Sequence, residues 1–430
     1  MWSFLSYVFG VDTQDAKPNG PVPEESSSSK VVATDLRGFK FLKRMRRMMA
    51  ALRPCATHRN RRLHYDDYAT MVLMYFFSPA IESLRDLQEA SGFKKVKKAL
   101  GIRRMSLGSM SESVRVFDPG LLQEVFEDLA AQAPERPTDP RLKNLRQVLT
   151  GVDATLLPAL PRMTWAVWLG DRGRGVKAHI QFEVLKGAAV HAEVTPGQGS
   201  EVGCLKANLE AGRLYVTDRG YRDSELLERI LEAGSSFVSR LPDNARYEVL
   251  EDKPLSPEAV KARVRSDRVV RLGCAASREK FDRPVRLVEV HVPETAPRGL
   301  RTPVKQVSSK KTYREPAGHA YTLLLVTDRT DLPADVIALL FLYRWKVELF
   351  FRLLKSVMGC RHLLSDSFEG VSIQVYAALI ATLLLAEYTG VAPRKRAYFI
   401  VTMYLQGWVT DEEFLRAIER LKPQDALKKT

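Results

Sequence analysis

Cysteine is rare in this 430-residue chain, which contains four cysteines and seven histidines. The cysteines lie far apart, at Cys55, Cys204, Cys274 and Cys360, and no two of them form a C-x2-C pair. Because zinc sites and disulfide scaffolds need closely spaced or paired ligands, this pattern argues against both. The histidines show no metal-ligand spacing either, so we expect them to be ordinary surface or core residues. A reducing cytoplasm is the expected environment.

Long hydrophobic runs are also few. Residues 1–11 are apolar but short, and they lack the basic start and the cleavage site of a secretion signal. Residues 371–386 carry no charge, but this run is shorter than the ~20 residues that a membrane-spanning helix needs. Ser372, Gln374 and Thr382 also interrupt it. We therefore predict a buried core helix in this region and no contact with a membrane.

Acidic residues are outnumbered, since 51 Asp and Glu against 66 Lys and Arg leave a net charge of +15. Between Arg37 and Arg62 there are ten cations and no acid, and between Lys94 and Arg104 six of the eleven residues are basic. The lysines of this second basic cluster are Lys94, Lys95, Lys97 and Lys98. Such clusters favour a polyanionic partner, bound with a strong dependence on salt. The alternative is a basic soluble protein whose first cluster is a flexible tail.

The region around the second basic cluster is predicted to be helical. Helical periodicity covers residues 64–132, and Ser109 and Glu112 could form a capping box that opens a helix through Arg115 and Phe117. With a basic segment just before it, this region could be a helix-turn-helix-like reader of DNA. A plain helical packing domain is the alternative.

Farther along the chain, strands alternate with helices, which predicts the α/β class. The apolar runs Val148–Val152 and Leu214–Thr217 end at Asp153 and Asp218, so each acid is expected where a buried strand stops. Ligand sites in α/β sheets gather at such carboxyl ends. Acids are also ordinary turn residues, so either aspartate alone is weak evidence.

The remaining elements complete a six-part organisation. Thr164–Leu169 and Ala178–Val184 are predicted as the second and third strands of a meander, followed by a helix at Ser224–Ala233 and a strand at Phe237–Ser239. The predicted parts are a disordered tail at 1–35, a helical DNA-binding domain at 36–135, an α/β core in two parts at 145–240 and 319–392, a β-rich insertion at 241–318, and a helical segment at 393–430 that could pair two subunits.

A third carboxylate, Glu348, is predicted on a long helix that begins at Pro333. At 100° per residue, Phe341, Arg344, Glu348 and Lys355 share a sector of about 60°. The opposite side carries an apolar stripe of Leu342, Leu349, Phe350, Leu353 and Val357. One acid between two cations suits a metal ligand that faces a phosphodiester. The alternative is a surface helix with ion pairs at i, i+4 spacing.

Three carboxylates on two strands and a helix could serve a common site. They could hold two hard divalent cations about 4 Å apart, the arrangement that binds the attacking and leaving oxygens in phosphoryl transfer. The acids concerned are Asp153, Asp218 and Glu348.

The motifs around these acids resemble those of DDE transposases of bacterial insertion sequences, in the fourth insertion-sequence family. Asp218-Arg219-Gly220-Tyr221 is similar to the family's DRGY motif, and Asp153-Ala154-Thr155 to its first D-x-T site. Arg344, Glu348 and Lys355 match the R-x3-E-x6-K part of its YREK signature. The resemblance covers roughly residues 62–390, with the motifs in the family's order. Phe341 departs from the signature, which has Tyr at this position.

The resemblance implies an RNase H-like catalytic core that moves DNA by a cut-and-paste reaction with Mg²⁺, for which Mn²⁺ could substitute. Asp153, Asp218 and Glu348 would be the catalytic residues and the metal ligands. Double-stranded DNA, as terminal inverted repeats and target, would be the partner of a homodimer acting at the nucleoid. The expected DNA contacts are Arg344, Lys355, Arg352, Arg219, Tyr221, Lys94, Lys95, Lys97 and Lys98. A related nuclease without strand transfer and a non-catalytic DNA-binding protein are the alternatives.

Overall fold

The structure, a computed structural model, describes residues 46–55, 61–136, 139–143, 145–160, 162–169, 173–273, 281–292 and 321–422. The predicted tail at 1–35 lies outside these ranges. So do half of the ten cations of the first basic cluster, and the later, cation-rich part of the predicted insertion. The chain is a mixed α/β protein, as predicted.

Helices make up the N-terminal part, in agreement with the periodicity. After a 3₁₀ turn at Ala50–Leu52 they are α1 (Tyr65–Tyr75), α2 (Leu84–Gly92), α3 (Lys94–Leu100), α4 (Leu107–Ser113) and α5 (Pro119–Gln132). The predicted capping box is wrong, because Ser106 caps α4 by accepting a hydrogen bond from the Ser109 amide at 3.1 Å. Ser109 therefore lies inside the helix. A capping box does open α2, where Ser83 and Asp86 bond reciprocally.

Ten strands form a single sheet. They are β1 (Val148–Pro158), β2 (Val167–Leu169), β3 (Gly173–Glu183), β4 (Ala188–Pro196), β5 (Arg213–Thr217), β6 (Ser236–Leu241), β7 (Tyr247–Lys253), β8 (Val264–Leu272), β9 (Val285–Val292) and β10 (Tyr321–Thr327). Their spatial order is β2-β3-β1-β5-β6-β10-β9-β8-β7, with β4 paired to β3. The pairs β1–β5 and β5–β6 are parallel. The centre of the sheet is therefore parallel, with antiparallel strands on both sides.

The predicted meander is only partly correct. Of Thr164–Leu169, the last three residues form β2, and Ala178–Val184 falls almost entirely within β3, the neighbour of β1. The third strand of the meander is β4, which the sequence analysis misses because its Ala-rich run has low strand propensity. The helices that follow are α6 (Glu201–Ala207) and α7 (Ser224–Glu232), the second as predicted.

The described part of the predicted insertion is β-rich and extends the central sheet. It contains β7, α8 (Pro257–Lys261), β8 and β9. Because β9 pairs with β10 and β10 pairs with β6, these strands continue the core sheet. A buried ion pair between Arg286 and Asp267 links β9 to β8. Arg286 also donates to the carbonyl oxygens of Arg329 and Leu332, just before the helices that carry Glu348.

The helices after β10 supply the third acid and much of the core. They are α9 (Ala334–Tyr343), α10 (Trp345–Arg352), α11 (Phe368–Thr389), α12 (Lys395–Leu405) and α13 (Asp411–Glu419). Helix α9 follows Pro333 as predicted, but the helix breaks at Arg344 and ends in a π-helical turn at Leu353–Val357. Within the described part of the chain, α11 is the one helix long and apolar enough to cross a membrane, and 89% of its most apolar window is buried inside the protein.

One hydrophobic cluster extends through regions that were predicted as separate domains. It includes residues from α1 to α5, several strands and α9 to α13. Hydrogen bonds accompany this packing, since the Tyr398 hydroxyl donates to the Phe76 carbonyl oxygen at 2.8 Å and the Tyr376 hydroxyl to Gln123 Oε1 at 2.8 Å. The N-terminal helices are therefore fixed to the core that positions the three acids.

Candidate active site

Asp153 and Asp218 stand side by side on two parallel strands. The β1–β5 register pairs Gly151 with Val216, and each aspartate follows two residues later. Asp218 comes directly after the end of β5, as predicted. Asp153 does not end its strand, because β1 continues to Pro158 and is paired with β3 over this stretch. The neighbouring strand β5 ends at Thr217, whereas β1 continues. Asp153 therefore lies where its parallel neighbour stops and not where its own strand stops.

A short turn fixes the carboxylate of Asp218. Asp218 opens the 3₁₀ turn Arg219–Tyr221, and its Oδ1 accepts a hydrogen bond from the Gly220 amide at 2.7 Å. Arg219 is half-buried next to it. Tyr221 is 1% exposed and packs in a hydrophobic cluster below the turn. Because its ring is buried, the predicted contact of Tyr221 with DNA does not fit the structure, and this residue supports the turn.

Glycine in β1 allows the helix that carries Glu348 to lie against the strand. A methyl group on Gly151 would come 2.7 Å from Val347 Cγ2 and 4.0 Å from Arg344 Cα. The first distance is shorter than any ordinary contact, so a larger residue would push α10 away. The contact between Gly151 and Val347 was not predicted, although a glycine inside an apolar strand is a signal of close backbone approach. The contact brings Arg344 and Glu348 to the two aspartates.

Arg344 joins two of the acids. Its Nη2 donates a hydrogen bond to Glu348 Oε1 at 2.6 Å, and its Nη1 lies 3.6 Å from Asp153 Oδ2. The guanidinium also lies over the Phe341 ring, 5.5 Å from the centroid. Arg344 is 9% exposed, and its buried Nε has no hydrogen-bond partner among the described residues. The arginine is thus a buried cation at the centre of the site.

The burial pattern corrects the predicted helix face. Phe341, Arg344 and Val347 are buried, whereas Leu342 and Leu349 of the predicted apolar stripe are half-buried. The face that bears Arg344 packs against β1 and does not face open solvent. Arg344 and Glu348 form an ion pair at i, i+4 spacing although the helix breaks at Arg344. Such a pair was predicted as part of the surface-helix alternative. Sequence alone could not show that both sides of this helix are covered.

Burial and repulsion from neighbouring acids disfavour the charged forms of Asp153 and Glu348. Burial raises the pKa of Asp153 to about 7, and Asp218 and Glu348 act in the same direction, while Arg344 opposes them. Burial likewise raises the pKa of Glu348, with Arg344 in opposition. For Arg344, burial alone would lower the pKa, but the attraction of Glu348, Asp153 and Asp218 outweighs it and raises the pKa. These mutual effects show that the four side chains form one electrostatic cluster.

Two further predicted cations follow Glu348. Lys355 lies in the π-helical turn and is half-buried, and burial followed by repulsion from Arg361 lowers its pKa, while Asp153 attracts its charge. Arg352 is exposed at the end of α10. π-Helical turns inside helices are frequent at functional sites. The turn changes the helix phase between Glu348 and Lys355, and Lys355 still comes within electrostatic range of Asp153.

The cluster contains suitable metal donors without a preformed cage. Among the described residues, no group of three His, Cys, Asp or Glu side chains is arranged to hold a metal ion. The donor chemistry nevertheless fits a hard divalent cation, because carboxylate oxygens are its preferred ligands. Burial is the main cause of the raised pKa of Asp153, and a bound divalent cation would favour its ionised form. In this structure the Arg344 guanidinium forms ion pairs with Asp153 and Glu348.

The lysines of the second basic cluster lie on α3. Lys94, Lys95 and Lys98 are exposed, and Lys97 is half-buried. They belong to the N-terminal helices and not to the carboxylate cluster. Their exposure agrees with the predicted phosphate contacts but does not identify a partner by itself.

Comparison with known proteins supports the resemblance of the motifs. Residues 146–384, more than half of the chain, match the family model described as the transposase DDE domain. A Sinorhizobium fredii protein named as transposase y4zB is 27% identical over 56% of this chain and 60% of its own length. A Geobacillus stearothermophilus protein named as the transposase for insertion sequence element IS5377 is 26% identical over 66% of this chain and 68% of its own.

Other matches are more distant. The transposase for insertion sequence element IS231B of Bacillus thuringiensis is 22% identical over 55% of each chain. A solved piggyBac transposase synaptic complex with hairpin DNA is similar over 90% of this chain and 81% of its own, with 14% identity and a TM-score of 0.39. The chain spans roughly half to two thirds of the length of these curated relatives. Its matched region includes all three acids, and the chain belongs to the transposase DDE domain family.

Proposed function

We propose that this protein is a DNA transposase that cuts the ends of an insertion sequence and joins them to target DNA. One observation carries the proposal: Asp153 and Asp218 on adjacent parallel strands and Glu348 on the covering helix form one electrostatic cluster. The strand order β4-β3-β1-β5-β6, with two antiparallel strands beside three parallel ones, supports an RNase H-like core. Family membership supports the same reaction class.

Asp153, Asp218 and Glu348 would hold Mg²⁺, or Mn²⁺ in its place. Bound there, divalent ions would supply charge stabilisation for the attacking and leaving oxygens of a phosphodiester. Arg344 opposes the rise in the pKa of Asp153 and Glu348 and fixes Glu348 through its 2.6 Å hydrogen bond. The main role of Arg344 would therefore be to hold the acids in place, and a contact with phosphate would be secondary.

The cations around the acids would position the DNA backbone. Arg219 lies next to Asp218, Lys355 is within electrostatic range of Asp153, and Arg352 is exposed at the end of α10. Charge-assisted hydrogen bonds from such groups fix a strand without reading its sequence. The lysines of the second basic cluster would hold phosphates at a second place on the DNA.

The proposed reaction has two phosphoryl transfers. In the first, water attacks the phosphodiester at the end of the element, a new P–O bond forms, and the bond to the 3′-oxygen breaks. The proton that water loses balances the one that the freed 3′-OH gains. In the second, this 3′-OH attacks a phosphodiester of target DNA and releases another 3′-OH. The product of the first step is the nucleophile of the second.

Strand joining separates this function from a nuclease of the same architecture. A labelled duplex with a pre-cut 3′-OH at the end that flanks the protein's own gene should become linked to a second duplex when Mg²⁺ is present. Cleavage without any linked product would support the nuclease. We expect two copies of the protein to act on paired ends in the cytoplasm, at the nucleoid. Cross-linking of the joined product should therefore capture two subunits.

A further inference from the structure

A phenylalanine on the surface stands out among the N-terminal helices. Phe93 links α2 to α3, and 63% of its side chain is exposed. An exposed aromatic ring beside cations can bury apolar area against a partner when the partner binds. The neighbouring Leu100, Ile102 and Met105 are buried, so the segment has its own core side, and Phe93 points away from it.

Exposed cations follow this ring in the sequence. Lys94, Lys95 and Lys98 are exposed on α3, and Arg103 and Arg104 are exposed after it. With respect to the described residues, none of these five side chains forms a salt bridge. We call Phe93 and these five cations the Phe93 patch. Arg104 lies close to the residue before Phe93, because a methyl group on Gly92 would come 3.7 Å from the Arg104 Nε. The sequence from 90 to 111 contains no acid, and the exposed acid just before it is Glu89 on α2.

The backbone below the patch is fixed. Gly101 adopts a left-handed conformation, with φ of 65°, and turns the chain back from α3 toward Arg103. The Met105 amide then donates a hydrogen bond to Ser91 Oγ at 2.9 Å, which ties the returning chain to α2. Phe93 and the cations are therefore presented on a pre-organised surface, and binding would not have to order this segment first.

We propose that Phe93 makes an apolar contact with bases or deoxyriboses in a groove of duplex DNA, while the cations of the Phe93 patch contact the phosphates. Phe93 would then be a residue that discriminates the element's end from other DNA, since apolar side chains read thymine methyl groups or enter deformable base steps. The inference rests on the proposed function. A second copy of this chain is a poor occupant, because its own patch and net charge are positive.

The test compares two exposed phenylalanines in the full-length protein. Phe93→Ala should weaken binding to a duplex of the flanking end by roughly tenfold, and should weaken binding to an unrelated duplex of equal length much less. Phe399→Ala is the matched control, since Phe399 is 58% exposed on α12, outside this patch. It should leave both affinities unchanged. Phe93→Trp should retain most of the discrimination because it retains an apolar ring.

A salt series separates the ring from the cations. Phe93→Ala should leave the slope of log affinity against log salt unchanged, whereas Lys94→Ala should weaken binding to both duplexes and reduce the slope by about 1. Thermal melting of both phenylalanine variants should match the wild type, because exposed positions contribute little to stability. This control excludes a folding defect as the cause of weaker binding.

Several outcomes would overturn the proposal. Equal behaviour of the Phe93→Ala and Phe399→Ala variants would do so, as would an equal loss of affinity for both duplexes, or a change of oligomeric state in Phe93→Ala. A wild-type protein that binds both duplexes equally would also refute it. The proposed function fails separately, if end DNA is bound with discrimination but is neither cut nor joined in the presence of Mg²⁺.

Discussion

Arg344 and Glu348 form a hydrogen-bonded ion pair of 2.6 Å, one helical turn apart, with the arginine buried beneath the acid. The same guanidinium reaches Asp153 on the neighbouring strand at 3.6 Å. An arginine that binds only phosphate would be expected to face solvent. Its burial between carboxylates indicates that it holds the acids of the site together, in addition to any contact with DNA.

Removing Arg344 should therefore disable the site. We expect Arg344→Ala to slow single-turnover cleavage of a labelled DNA end by about 100-fold, because the charge-assisted hydrogen bond to Glu348 and the ion pair with Asp153 are lost. Phe341→Tyr, which restores the family residue at a position beneath the guanidinium, should change the rate by less than about threefold.

A matched control is Arg416→Ala, which removes another i, i+4 Arg–Glu pair, with Glu412, on the exposed surface of α13. Its cleavage rate should equal that of the wild type. Equal damage from Phe341→Tyr and Arg344→Ala would show that the alignment of the signature on this helix is wrong.

The contact between Gly151 and Val347 gives a prediction of non-additivity. Gly151→Ala alone should destabilise the protein by about 1–3 kcal/mol and reduce cleavage, because the new methyl group collides with Val347 Cγ2. The double variant Gly151→Ala, Val347→Ala should recover part of both losses, since the second change removes the colliding atom. Urea unfolding and cleavage rates of the four proteins complete the cycle. Additive losses in the double variant would refute the close contact.

The buried ion pair of the β extension should matter for stability. Arg286 and Asp267 are each about 5% exposed, and breaking such a pair leaves an uncompensated buried charge. Asp267→Asn should cost about 3–5 kcal/mol of unfolding free energy. Asp252→Asn is the control, because Asp252 pairs with Arg268 on the exposed surface and its loss should cost less than about 1 kcal/mol. Similar losses for both variants would contradict this account.

His179 should make the protein less stable in mild acid. Burial lowers the pKa of His179 to about 4, and the nearby Lys177 ammonium acts in the same direction. The unfolded chain then takes up a proton below its ordinary pKa of 6.5, whereas the folded protein does not. The contribution of His179 to the free energy of unfolding is complete above pH 6.5. It is lost as the pH falls toward 4, and the total loss is about 3 kcal/mol.

His179→Gln should remove that part of the pH dependence. Urea unfolding of the wild type and of the variant between pH 7.5 and 4.5 measures the contribution of His179. All other titrating groups are the same in the two proteins, so their effects cancel in the difference. The wild type should lose more stability than the variant over this range. Parallel curves would show that His179 titrates normally in the folded state.

The places of Asp218 and Glu348 in their elements could be predicted because short local patterns determine them. A buried apolar run followed by an aspartate indicates a strand near a site, and the i, i+4 spacing predicts the Arg344–Glu348 pair without knowledge of the fold. The position of Asp153 inside β1 could not be predicted, since it depends on where the neighbouring strand ends. Tertiary pairing, and not the local sequence, decides this point.

The packing of the helices around Glu348, α9 and α10, could not be predicted from the sequence either. The apolar stripe predicts one buried side, but β1 covers the opposite side as well, which is why Phe341 and Val347 are buried together with Arg344. The extension of the sheet by β7 to β10 likewise depends on long-range pairing. Periodicity reports which residues are apolar and not which partner covers them.

The most direct test of the central claim is cleavage of labelled DNA that carries the ends flanking the protein's own gene. Wild-type protein with Mg²⁺ or Mn²⁺ should cut at the end, and no cutting should occur in EDTA. Asp153→Asn, Asp218→Asn and Glu348→Gln should each abolish cutting while their melting temperatures and end binding stay close to those of the wild type. Robust cleavage by any one of these variants, or by the wild type in EDTA, would contradict the assignment of the three carboxylates as metal ligands for DNA transposition.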